Sequence, residues 1–115
     1  MSKFVAALEK YNNQMTEKLG MEVDADLLRA ITRSLGPSIY LRDASMVSCS
    51  DSSELDRVRK NFLLKKLGLE DTEALDEAIK AVCTKFGPIR NKHRAVFYYL
   101  LVQHLGQEAF FEKKK

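Results

Sequence analysis

The sequence predicts an all-α fold, a compact bundle of about five helices, on three observations. Apolar residues recur at helical spacing in five segments. Each segment ends at a glycine: Gly20, Gly36, Gly68, Gly87 or Gly106. The one run that could equally form a buried strand, Ala95 to Val102, has no second strand to pair with.

In the first segment Phe4, Leu8, Tyr11, Met15 and Leu19 form one stripe, with Asn12, Asn13 and Gln14 mostly off it. Gly20 supplies the left-handed residue that ends a helix, and Met21 is the apolar residue that folds back. Asp24 is the expected N-cap of a second helix burying Leu27, Leu28, Ile31 and Leu35. Gly36-Pro37 stops it, because proline has no amide hydrogen to donate. Residues 37 to 51 are serine- and aspartate-rich yet hold Ile39, Tyr40, Leu41, Met46 and Val47, so they are expected to pack on the core, with a short helical turn near Asp43 to Val47.

Asp51 followed by Glu54 has capping-box spacing, and opens a third helix with Leu55, Val58, Phe62, Leu63 and Leu67 facing inward. Gly68 ends it, with Leu69 folding back. The fourth helix starts near Asp71 or Thr72, buries Leu75, Ile79, Val82 and Phe86, and stops at Gly87-Pro88. The fifth runs from near Asn91 to Leu105. Its octapeptide Ala95–Val102 is apolar on every side, as suits a central enclosed helix or one that packs internally on one face and on a partner with another.

A repeat runs through this pattern. Lys18-Leu19-Gly20-Met21-Glu22 matches Lys66-Leu67-Gly68-Leu69-Glu70 at an offset of 48, and Leu35-Gly36-Pro37 matches Phe86-Gly87-Pro88 at an offset of 51. One reading is an internal duplication, residues 4–37 and 52–88, with about one helical turn inserted. The other is that leucine-glycine is simply how helices end. Either way the short turns predict two antiparallel helical hairpins around the fifth helix.

Length bounds the rest. A chain of 115 residues, 45% apolar, suits one domain over 1–115 with a core that needs no metal or disulfide staple. The first residues lack a signal-peptide apolar stretch, and the octapeptide is far short of the ~20 residues that span a bilayer, so no membrane role is expected. Two cysteines, Cys49 and Cys83, then suggest a reduced, cytoplasmic chain.

Charge is segregated within the net +3: residues 57–66 carry +5 and residues 90–115 carry +4, against −3 in each of 1–56 and 67–89. Arg90, Lys92, His93 and Arg94 stand at the expected start of the fifth helix, where the helix dipole disfavours cations. Such a cluster calls for an anion, either an external phosphate or carboxylate or the acidic fourth helix with Asp71, Glu73, Asp76 and Glu77. Arg57, Arg59 and Lys60 form a second candidate anion surface, and Lys113-Lys114-Lys115 could add weak electrostatics. Nucleic acid is disfavoured: the second and fourth helices open with acids, and the fifth has no polar side to lay in a groove.

Catalytic signals are weak. Cys49 near the third helix's N-terminus is a candidate reactive thiol, opposed by Asp51 and Glu54, while Cys83 reads as a small core residue. His93 and His104 are eleven residues apart, ~16 Å along one helix, so they cannot share a metal. No phosphate loop or nucleophile elbow is present. No catalytic residue, metal site or cofactor is expected.

Across Leu35-Gly36-Pro37-Ser38-Ile39-Tyr40, Asp43-Ala44-Ser45, Val47-Ser48-Cys49-Ser50-Asp51, Arg57-Val58-Arg59-Lys60-Asn61-Phe62 and Arg94-Ala95-Val96-Phe97-Tyr98-Tyr99-Leu100-Leu101, the chain resembles a small bacterial family catalogued as domain of unknown function 2853. The resemblance covers nearly the whole chain and implies a compact helical, cytoplasmic bacterial protein. It transfers no activity. The expected function is a non-enzymatic helical interaction module binding a protein partner or itself, with Phe110 and Phe111 docked on the core or reaching that partner. The alternative is an anion or nucleic-acid binder using residues 57–66 and 90–94.

Overall fold

The computed structural model describes residues 3–40, 46–87 and 92–112. Its elements are α1 (Lys3–Asn13, continued by a π-helical turn, Gln14–Lys18), α2 (Ala25–Leu35), a 3₁₀ turn (Gly36–Tyr40), α3 (Ser52–Arg57, continued by a π-helical stretch, Val58–Lys66), α4 (Glu73–Phe86), α5 (Arg94–Leu105) and α6 (Glu108–Glu112). The all-α expectation holds. Among the described residues the only extended pairing is a single antiparallel bridge, Met46 to His93.

All eight residues of Ala95–Val102 are buried in α5. Both α2 and α4 pack on this helix, and α1 and the π stretch after α3 pack in turn on α2 and α4. The buried apolar side chains form one cluster, centred on Tyr99, Phe97, Leu101 and Val96 of α5 with Tyr11, Met15, Ile31, Leu63 and Phe86 around them. A radius of gyration of 13.2 Å is what a single core of this length should give.

The helix starts follow local chemistry. The Asp24 carboxylate accepts the Asp26 and Leu27 amides. Asp51 accepts those of Ser53 and Glu54. The expected capping box is only half made, because the Asp51 amide already donates to the Ser48 carbonyl and the Glu54 side chain serves Arg94 instead.

Both leucine-glycine ends share one geometry. The Leu19 amide reaches the Gln14 carbonyl and the Leu67 amide reaches that of Phe62, while Met21 and Leu69 close back on Met15 and Leu63. These closures are one residue wider than the usual helix end, because the turn before them is already a wide i→i−5 turn. Gly20 and Gly68 are left-handed, at φ +62° and +69°. The three residues that separate the offsets of 48 and 51 lie in the second helix of each pair: α4 has 14 residues where α2 has 11.

Several expectations need correction. Gln14, expected mostly off the inward stripe, is buried where the wide turn begins. Of the helical turn expected near Asp43 to Val47, Asp43, Ala44 and Ser45 lie outside the described residues, while Met46 forms the bridge to His93 and Val47 follows it outside any helix. The 3₁₀ turn instead follows Gly36 directly. The fifth helix begins at Arg94, not near Asn91, because Lys92 and His93 are drawn into pairing with residues 46–47: the Val47 amide donates to the Lys92 carbonyl at 2.8 Å. A sixth short helix docks Phe111 in the core, with Phe110 half-buried beside it. Cys49 and Cys83 are joined in a disulfide, Cα atoms 5.9 Å apart, contrary to the expectation of reduced thiols. The capping turn of α3 lies against α4, which brings together two residues 34 apart in sequence.

Candidate functional site

The N-terminal ends of α3 and α5 meet at Arg94. Its guanidinium pairs with Glu54 and donates to the Met46 carbonyl at 3.2 Å and to the Tyr98 hydroxyl at 3.1 Å. It also lies 5.7 Å from the centre of the Tyr98 ring, which stacks on Phe62 with centroids 3.9 Å apart. Both members of the ion pair are only 14% exposed. The cation at this helix start therefore faces a carboxylate of the same chain, but one from α3 and not from the acidic fourth helix.

The second cluster is also matched internally. Arg59 pairs with Asp71, with Asp76 at 3.7 Å and with Asp56 at 3.4 Å, so α3 is tied to the start of α4. Lys60 reaches Asp56 at 3.0 Å, and its hydrogen bond holds that carboxyl below the usual range. Arg57 reaches Glu54 at 3.2 Å from an exposed position. Lys92 sits in the bridging segment, and Arg90 lies outside the described residues. The structure thus brings Arg94 and Arg57 to one acid, Glu54, and places Arg59 and Lys60 around Asp56. Spacing along α3 alone could have revealed the Asp56–Lys60 and Glu54–Arg57 pairs.

His93 precedes α5 and is buried against Tyr11, ring centroids 5.1 Å apart. Burial, and secondarily the Lys10 charge, lower its pKa to about 4, so it is a neutral ring and not part of a basic cluster. The Tyr99 hydroxyl, buried in the core, accepts the Asp24 amide at 2.7 Å and a Gln103 amide hydrogen at 3.1 Å. Cys49 is no free thiol. Among the described residues no group of three or more His, Cys, Asp or Glu side chains is placed to hold a metal, and no helix is long and apolar enough to cross a membrane.

A cleft of about 280 Å³ is lined by Phe4 of α1, Thr32 and Arg33 of α2, Gly36 and Tyr40. Tyr40 is 48% exposed. The Arg33 guanidinium stands 6.0 Å from the Phe4 ring and, among the described residues, has no carboxylate partner. Sequence periodicity assigned Phe4 to the inward stripe and gave Arg33 no role, so this site carried no signal there. Apolar walls beside an available cation suit a ligand that carries an apolar group next to a carboxylate.

A comparison with curated proteins finds no match. Residues 10–109 match the model of a family described as a protein of unknown function, DUF2853. With 100 of its 115 residues inside that match, and the helical architecture the resemblance implied, the chain belongs to this family.

Proposed function

We propose that the chain is a non-enzymatic interaction module that docks a partner protein at the cleft between α1 and the end of α2. One observation carries the reading: Tyr40, an aromatic side chain 48% exposed, lines an open cleft together with the part-buried Phe4 and with Arg33, while the other aromatic residues are buried or half-buried. The fitting partner segment presents an apolar side chain beside Asp or Glu. The central helix does not serve as the contact face, since its octapeptide is buried, and Phe111 is occupied in the core. The basic clusters give less support to anion or nucleic-acid binding, because Arg57, Arg59, Lys60 and Arg94 each face carboxylates of their own chain.

The test is amide shift mapping with a blocked Asp-Phe dipeptide as probe. Shifts should centre on residues 32–36 and 40, and Arg33→Ala should weaken the association roughly tenfold, about 1.4 kcal/mol for one charge-assisted contact. Shifts centred on residues 57–60 and 92–94 would favour the anion reading instead. Light scattering at micromolar concentration separates a second copy from another protein as partner: a dimer that Tyr40→Ala dissolves makes the partner a second copy.

A further inference from the structure

We infer that the Cys49–Cys83 disulfide is a thiol-exchange site through which a dithiol reductant releases residues 46–51 from α4. Both cysteines are half-buried, and their neighbours Ser48, Ser50, Lys80 and Thr84 are exposed, so the bond borders solvent instead of lying in the core. The segment it holds is the one non-helical strap laid over the bundle among the described residues between α2's 3₁₀ turn and α3. Besides the disulfide, the Val47 amide on the Lys92 carbonyl, Arg94 on the Met46 carbonyl and the buried Val47 side chain anchor it to other elements. The same strap carries Asp51, the cap of α3, and leads to Glu54, the partner of Arg94. Opening the bond therefore loosens the N-terminal end of α3 while leaving α5 enclosed.

The chemistry balances as ordinary exchange. A thiolate of the dithiol attacks one sulfur of the pair, and a mixed disulfide forms as the protein S–S bond breaks. The displaced cysteine thiolate takes up a proton. The second thiol of the reductant then displaces the other cysteine, leaving two protein thiols and the reductant as its own disulfide. This inference is independent of the cleft at Tyr40.

The test uses the full chain, oxidised or treated with dithiothreitol. N-ethylmaleimide should add no mass before reduction and two equivalents after it. Hydrogen exchange at the Val47 and Asp51 amides should rise at least tenfold on reduction, while the amides of Phe97 to Val102 keep their rates. A Cys49→Ser/Cys83→Ser chain should match the reduced protein and ignore dithiothreitol. Labelling without reductant, unchanged exchange at Val47, or acceleration of α5 in step with Val47 would each overturn the inference.

Discussion

His93 shows how burial reverses what a residue type suggests. Set among cations in the sequence, it reads as charge; packed on Tyr11, it is neutral, with a pKa of about 4. Its unfolded value is near 6.5, so between these limits the unfolded chain binds the extra proton. Stability on this account is full above pH 6.5 and is lost as pH falls from 6.5 toward 4, by up to about 3 kcal/mol. Urea unfolding across that range measures the slope. His93→Gln should flatten it, and a slope unchanged by that substitution would mean that other groups carry it. Arg94 teaches the complementary lesson. Its unfavourable place at a helix start is offset by Glu54, a partner forty residues away that no local rule selects.

At the scale of elements, the two leucine-glycine ends behave as one device used twice. A Cβ built on Gly20 or Gly68 meets nothing within 4 Å, so alanine there is opposed by backbone conformation alone. Gly20→Ala and Gly68→Ala should each cost about 1 kcal/mol, in similar amounts, since both φ values lie in the left-handed region. Thermal or urea midpoints of the two variants check this. Costs that differ by several-fold would break the equivalence. Capping residues, glycine stops and inward stripes were legible in the sequence because each depends on residues within one or two turns. The wide turns at Gln14–Lys18 and Val58–Lys66 were not, because their i→i−5 bonds leave no distinctive residue pattern. Nor was the start of α5, which the bridge to Met46 moves to Arg94.

For the whole molecule, the disulfide adds a covalent constraint to the packed core. Closing a 34-residue separation should stabilise the chain by about 3 to 4 kcal/mol through the unfolded state. Paired urea titrations with and without dithiothreitol measure it, and equal midpoints would show that the strap holds without its covalent tie. By itself the sequence determined five of the helices and their glycine stops, because periodicity and capping act over a few residues, and it left Ala95–Val102 either fully enclosed or shared with a partner, of which the structure shows the first. The tertiary structure alone decided that Arg94 meets Glu54 and Arg59 meets Asp71, that Cys49 meets Cys83, and that Phe4, Arg33 and Tyr40 share a cleft. Those are contacts between segments distant along the chain, set by how the helices pack around α5, and packing leaves no local trace in the order of residues.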